Sequence, residues 1–268
     1  MQTLSLNVAT ARLEVRVLLG HVLGVDRTWL IAHERDPLQP EAIARYEELL
    51  GRRLAGEPIA YILGEKEFYG RMFKVTSDVL IPRPETELLV ELAVARCRAT
   101  ASSKILDLGT GSGCIAITLA LECPAAQITA VEESRAALEI ARQNAAISGV
   151  DIEFVQSRWF ESLGDRQFDI IVTNPPYIAP GDPHLLQGDV RHEPAGALVA
   201  KNKGLADIEE IVAQSKQHLR PGGAILLEHG YDQAEAVREL LVKTGFAEPE
   251  TWRDLAGMER ATGAKMSE

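Results

Sequence analysis

Ile105-Leu106-Asp107-Leu108-Gly109-Thr110-Gly111-Ser112-Gly113-Cys114-Ile115-Ala116-Ile117 decides the fold. A short apolar strand runs directly into three glycines at alternate positions, and an apolar helix starts at once. Glycines permit a tight turn and let a ligand approach the backbone closely. The amino end of the following helix offers unpaired N–H groups. About 20 residues on, the next strand ends Ala130-Val131-Glu132, where a carboxylate can accept hydrogen bonds from ribose hydroxyls. The spacing is G-x-G-x-G and not the dinucleotide G-x-G-x-x-G. Together these features describe a nucleoside-cofactor site at the carboxyl edge of a parallel sheet.

Downstream of Glu85 the pattern alternates. Helices are expected over 87–98, 114–121, 134–148, 204–219 and 233–244. Strands are expected over 104–108, 127–132, 152–156, 168–173 and 224–228, and residues 251–264 have room for two more. Apolar strands separated by crossover helices imply a largely parallel sheet covered on both faces. Upstream, the first 60 residues read as helices. Ala9, Leu13 and Val17 recur at helical spacing, Thr28 is placed to cap a second helix, and Glu41 opens a third. In that helix Ile43, Tyr46, Leu50 and Leu54 share one face, and Gly56 can end it. Glu67-Phe68-Tyr69 and Met72-Phe73-Lys74-Val75 flank Gly70 as a hairpin, and Pro82 and Pro84 stiffen a connection beyond it. The expected fold class is α/β. The expected domains are helices over 1–64, a β-hairpin linker over 65–84, and a doubly wound domain over 85–268.

Composition is consistent with this. The 268 residues are 46% hydrophobic and 25% charged, near a globular average, which excludes a disordered chain or a disulfide scaffold. No apolar run is long enough to span a membrane, and no secretory signal is expected. Three cysteines, Cys97, Cys114 and Cys123, form no C-x-x-C pair. That fits a reducing cytoplasm and argues against a zinc site, and no other metal site is expected. The net charge is −11. Nearly all of it lies beyond residue 100, which argues against stable nucleic-acid binding.

A second motif, Thr173-Asn174-Pro175-Pro176-Tyr177, closes the strand Phe168-Asp169-Ile170-Ile171-Val172. Two prolines stiffen the exit and remove two N–H donors. In a doubly wound sheet this corner faces the glycine loop. The side-chain carbonyl of Asn174 and the main-chain carbonyl of Pro175 can hold both hydrogens of a planar NH₂. Tyr177 would pack over the planar group and exclude water. No Ser, Cys or His nucleophile is needed for such a transfer.

Both Asp107-x-Gly-x-Gly-x-Gly and Glu132 resemble the class I S-adenosylmethionine-dependent methyltransferases. That resemblance implies a Rossmann-like, mainly parallel seven-stranded sheet. It puts Gly109, Thr110, Gly111, Ser112 and Gly113 behind the methionine part of S-adenosyl-L-methionine, Asp107 beneath it, and Glu132 on the ribose. Family members more often have Asp at position 132. The Asn-Pro-Pro-Tyr motif resembles that of enzymes acting on planar nitrogens of DNA, RNA or glutamine. Four longer stretches carry the resemblance further. Arg52-Arg53-Leu54-Ala55-Gly56-Glu57-Pro58 leads to Ile81-Pro82-Arg83-Pro84-Glu85-Thr86-Glu87. Glu193-Pro194-Ala195-Gly196-Ala197-Leu198 comes next, and then Arg253-Asp254-Leu255-Ala256-Gly257. These are similar to the protein-(glutamine-N5) methyltransferases of peptide chain release factors, over nearly the whole chain.

The resemblance implies methylation of the glutamine in the Gly-Gly-Gln loop of bacterial-type class I release factors, with S-adenosyl-L-homocysteine as product. It implies Trp159 and Asn174 beside the cofactor, and Asn174, Pro175, Pro176 and Tyr177 around the glutamine. The family commonly has an acid just before the tryptophan. Arg158 stands there instead, so a contact to the adenine amine is expected to be missing or taken by backbone, and Arg158 is left out of the site. The irregular segment 179–203 is expected to form a flap, with His184 and His192 as bystanders. Arg45, Arg52 and Arg53 read as a solvated helix face or as a contact for an acidic partner. A cytoplasmic monomer is expected. Ribosomal-protein glutamine methylation and nucleic-acid amino methylation are the alternative activities.

Overall fold

The computed structural model describes residues 7–98 and 102–266. They fall into two units, one of residues 1–65 with 183–192, the other of residues 66–182 with 193–268.

Among its described residues the first unit has four α-helices: α1 (Val8–Leu23), α2 (Arg27–Ala32), α3 (Pro40–Leu54) and α4 (Ile59–Leu63). Asn7 caps α1 by accepting from the Thr10 amide, and left-handed Gly24 ends it. Asp26, not Thr28, caps α2, accepting from the Trp29 amide at 2.7 Å. Asp26 precedes the first helical residue, while Thr28 already lies inside the helix. The stripe Ala9, Leu13, Val17 does not face a core. All three are exposed, as are Ile43 and Leu54, while Leu18 is fully buried.

Arg53 departs furthest from expectation. It is buried, and its guanidinium is the polar centre of the unit. Nε and Nη2 bind both oxygens of Glu14 on α1 at 2.9 and 2.8 Å. Nη1 reaches Asp189 Oδ1 at 2.7 Å and the Glu57 carbonyl at 3.0 Å. One planar fork thus ties α1, α3 and the 183–192 segment together. Arg52 is paired bidentately with Glu57.

In the second unit, β1 (Glu65–Phe68) and β2 (Arg71–Lys74) form a hairpin turning at Tyr69 and Gly70, both at positive φ. Phe68 and Phe73 pack edge to face beneath it. Then come α5 (Glu87–Cys97), β3 (Lys104–Leu108), α6 (Cys114–Glu122), β4 (Gln127–Glu132), α7 (Arg135–Ser148), β5 (Glu153–Gln156) and β6 (Phe168–Thr173). A single turn, α8 (Lys201–Gly204), leads to α9 (Ala206–Ser215), β7 (Leu219–Glu228), α10 (Ala234–Thr244), β8 (Ala247–Arg253) and β9 (Glu259–Lys265). The helix expected over 204–219 gives way to strand at Leu219. Arg220-Pro221-Gly222-Gly223, which lies between the expected helix and the strand expected over 224–228, is absorbed in β7 at a register shift against β6.

The seven strands run β5-β4-β3-β6-β7-β9-β8, parallel except for β9, which is antiparallel to both β7 and β8. Each central strand feeds two cores in alternation. Ile105, Ile170 and Val172 pack toward α5 and α6. Leu106, Ile171 and Ile225 pack toward Ile208 and Ile211 of α9 and Val237 and Leu241 of α10. Chain order reverses between β3 and β6, so their carboxyl ends part there and leave a crevice. Among the described residues no helix is long and apolar enough to cross a membrane.

Candidate active site

β3 delivers the glycine loop to the crevice. Gly109, Gly111 and Gly113 all have positive φ. At Gly113 the need is also steric, since a Cβ would lie 2.9 Å from Ile117 Cδ1 and 3.2 Å from Ala141. Loop and neighbouring strand are tied together: the Gly109 and Thr110 amides both donate to the Val131 carbonyl.

Two carboxylates frame the loop. Asp107 is fully buried under it and accepts from the Thr110 hydroxyl at 2.6 Å. Its other oxygen has no partner, and burial pushes the carboxyl up to about 7. Glu132, at the end of β4, accepts from the Gly111 amide through one oxygen and from the Ser134 amide through the other, each at 2.9 Å. It holds the loop as well as lining the crevice. Its carboxyl is raised by burial, with the amide bonds opposing.

The crevice encloses about 350 Å³. Gly109, Gly111 and Glu132 line one side, Ser157, Arg158 and Trp159 another, and Asn174 and Pro176 a third. Trp159 sits at φ 42°, strained for a bulky residue, and its buried Nε1 has no hydrogen-bond partner. Its ring edge would be 3.3 Å from a Cβ at Gly109, so only glycine leaves the loop against the indole. Arg158, left out of the site by sequence reasoning, does line the crevice. Its guanidinium is turned to α9, bidentate on Glu210 at 2.6 and 2.5 Å and 3.5 Å from Asp207. Asp207 also lines the crevice, its carboxyl raised by burial, with Arg158 opposing.

The Asn-Pro-Pro-Tyr corner closes the site. Thr173 Oγ1 donates to the Leu108 carbonyl, fastening the end of β6 to the start of the glycine loop. Asn174 Nδ2 donates to Thr86 Oγ1 at 3.1 Å. The Tyr177 hydroxyl donates to Glu228 Oε1 at 3.3 Å, and burial with this carboxylate alongside raises the phenol's pKa. Gln233 Nε2 donates to the Tyr177 carbonyl. Left-handed Gly204 lies against that carbonyl, which a Cβ would meet at 2.1 Å. The two linking motifs also meet: the Ile81 amide and Arg83 guanidinium both donate to buried Glu193.

The residues singled out from the sequence for the site lie on the glycine loop, beneath it, along the crevice or at this corner. Sequence reasoning misses Thr86, Glu228 and Gln233. Each acts through a partner more than 50 residues away, a relation that no local spacing carries. His192 accepts from Arg191 and stands in the 183–192 segment.

The glycine loop at β3, the acid ending β4 and the terminal antiparallel β9 define a class I S-adenosylmethionine-dependent methyltransferase. A solved methyltransferase from Pyrococcus furiosus has the same fold at TM-score 0.57, with 18% identity over 83% of this chain and 100% of that one. Residues 2–64 match the PrmC N-terminal domain, and residues 84–188 match the methyltransferase small domain. The chain is 51% identical to the release factor glutamine methyltransferase of Bordetella pertussis over 94% of each chain. It is 52% identical to that of Burkholderia pseudomallei over 95% of this chain and 92% of that one. The chain belongs to the family of release factor glutamine methyltransferases.

Proposed function

We propose that the chain methylates the side-chain amide nitrogen of a glutamine, the one in the Gly-Gly-Gln loop of peptide chain release factors. The observation that carries this reading is that Asn174 shares one crevice with Gly109, Gly111 and Glu132. Its Nδ2 is engaged by Thr86, which leaves Oδ1 for a substrate donor.

The residues present fit S-adenosylmethionine. Bare backbone at Gly109 and Gly111, the carboxylate of Glu132 and the orphaned Trp159 N–H offer it a cradle. When bound, it supplies a methyl group on a positively charged sulfur. The chain's task is then to place a poor nucleophile. An amide nitrogen has its lone pair delocalised, and its NH₂ is flat. Asn174 Oδ1 and the Pro175 carbonyl, held in that plane, would accept both hydrogens and stabilise the positive charge that builds on nitrogen. Pro175 and Pro176 hold the corner stiff. Tyr177, anchored through its hydroxyl and its carbonyl, would cover the amide and exclude water. No side chain needs to act as a strong base, because the nitrogen becomes acidic as it is alkylated.

The helical unit is assigned the role of grasping the partner. It exposes Leu13, Trp29, Ile31 and Ile43, and Leu186 of its 183–192 segment. Such side chains suit an interface with a protein. The reading takes the enzyme as a monomer, since every residue it assigns a role belongs to one copy of the chain. The test is mass spectrometry of release factor incubated with enzyme and S-adenosylmethionine, beside ribosomal protein, tRNA and DNA. One added methyl on the loop glutamine is expected. Methyl transfer to nucleic acid alone would overturn the reading.

A further inference from the structure

Arg253-Asp254-Leu255-Ala256-Gly257 takes no part in the proposed methyl transfer. It forms the turn between β8 and β9, and that turn ends in an apolar tip. Leu255, Ala256, Gly257 and Met258 are all exposed, Leu255 fully so.

Turns that face solvent ordinarily carry Gly, Asn, Asp or Ser. Here the polar residues stand at the base and are engaged in holding the turn. Asp254 Oδ1 accepts from the amides of Ala256 and Met258, each at 2.9 Å. The Asp254 amide donates to the Met258 carbonyl and the Gly257 amide to the Asp254 carbonyl, both at 2.9 Å. Arg253 Nη1 donates to the Gly257 carbonyl at 2.8 Å, and its Nη2 to Glu259 at 3.1 Å. Arg260 Nε reaches the other oxygen of Asp254 at 3.4 Å. Gly257 supplies the left-handed step at φ 81°. A tip held this firmly gives up little freedom on being covered, so its contact area converts to affinity with a small entropic loss.

The register of the sheet places the tip. β6 ends at the Asn-Pro-Pro-Tyr corner and runs parallel to β7, with Thr173 beside Leu227. β9 is antiparallel to β7, with Ala261 beside Glu228, so β9 starts where β7 ends. Arg253 pairs with Glu259, so β8 ends at that same edge. In the order β6-β7-β9-β8 the turn stands two to three strands from the corner. That is about 10–15 Å at a spacing of about 4.8 Å per strand. The segment after β7 joins the two places. The His229 amide donates to the Arg260 carbonyl at 3.0 Å, and Gln233 Nε2 donates to the Tyr177 carbonyl at 3.0 Å. Tyr231, on that segment, is exposed.

The glutamine to be methylated belongs to a protein loop. Its side chain reaches only about 5 Å from Cα, so the backbone that carries it must come down onto the corner. A specific contact between proteins covers about 800 Å² on each partner, a patch about 30 Å across. The turn falls within such a patch centred on the corner. We propose that the 254–258 turn, together with Tyr231, is a docking surface for the release factor, with Leu255 as the anchor that meets an apolar surface around the glutamine loop. The inference rests on the proposed function.

The experiment uses wild type, Leu255→Asp, Leu255→Ser, Leu255→Met and Tyr231→Ala. It measures calorimetric binding of release factor in the presence of S-adenosylhomocysteine, and steady-state methylation. Leu255→Asp is expected to weaken binding and raise KM by about tenfold to hundredfold, the scale of losing one buried leucine. Its kcat and its affinity for S-adenosylhomocysteine should stay within about twofold of wild type. Leu255→Met should keep most of the affinity, and Tyr231→Ala should lose part of it. Binding and KM within about twofold of wild type in Leu255→Asp overturn the docking surface. A fall in kcat with KM unchanged also overturns it, since the turn would then brace the corner. Sedimentation tests a second copy as the occupant. A wild-type dimer that Leu255→Asp splits, with release-factor affinity unchanged, overturns the proposal too. If Leu255→Asp does not bind S-adenosylhomocysteine, Leu255→Ser and Tyr231→Ala decide. Wild type that binds release factor without methylating its glutamine would defeat the proposed function and leave the docking surface standing.

Discussion

The two units differ in the means by which each coheres. The unit of residues 66–182 and 193–268 buries continuous apolar strands on both sheet faces and places its polar groups at one edge. Among its described residues the helical unit buries few large apolar side chains, such as Leu18 and Ile62, and puts an arginine at its centre. It leaves apolar groups outside that a self-contained domain would turn in. Where a unit's purpose is to hold small groups in fixed geometry, the apolar surface goes to the core. Where its purpose is to meet another protein, part of that surface stays available, and charge pairs such as Arg53 with Glu14 and Asp189 supply what the core does not.

That contrast can be broken from either side. The largest effect is expected at the rigid edge. Asn174→Ala should lower kcat by at least about 10²-fold, the scale of removing one well-placed polar group, with S-adenosylhomocysteine affinity nearly unchanged by calorimetry. Near-normal turnover would mean the corner is scaffold only. Next comes the charged centre. Arg53→Met leaves Glu14 and Asp189 unpaired and should destabilise the helical unit by about 3 kcal/mol. The figure sits at the low end because Asp189 is more than a third exposed and screened by water. Hydrogen exchange should show the loss in residues 7–65 and 183–192 and leave the sheet protected. Equal loss in the sheet would deny the two units separate stabilities.

A smaller effect concerns pH. Asp107 and Glu228 rise from ordinary values of 3.8 and 4.5 to about 7 in the fold. The folded chain therefore holds these protons more tightly than the unfolded one. The stability they add is full below about pH 4 and is lost as pH climbs through about 7. Glu228→Gln should flatten that fall, so its melting temperature relative to wild type should rise between pH 5 and pH 8. A difference that stays constant with pH would refute the shift. Smallest in stability is Leu13→Glu with Ile31→Glu, within about 0.5 kcal/mol each for exposed sites. In activity the pair should raise KM for release factor and spare kcat. An unchanged KM would take the exposed face out of substrate capture.

How far the molecule could be read beforehand tracks the same divide. β3, β4 and β6 are apolar runs bounded by glycine, proline or charge, and their limits are visible in the chain. The helical unit misleads because its apolar stripe marks an outward face, so Ala9, Leu13 and Val17 look like core. Arg53 looks like solvent-facing charge because its partners, Glu14 and Asp189, lie 39 and 136 positions away. The site divides in the same manner. The glycine loop and Asn-Pro-Pro-Tyr are local motifs, whereas Thr86 and Glu228 matter only through what folding brings beside Asn174 and Tyr177.

Gly204 carries a consequence of a different kind. With the Tyr177 carbonyl occupying the space where a side chain would start, position 204 is closed to drift by geometry alone. A lineage could give up methylation altogether and still find alanine unacceptable there while the fold persisted. Invariance at this position would therefore testify to packing and not to chemistry, and it should outlast the activity it helps to frame.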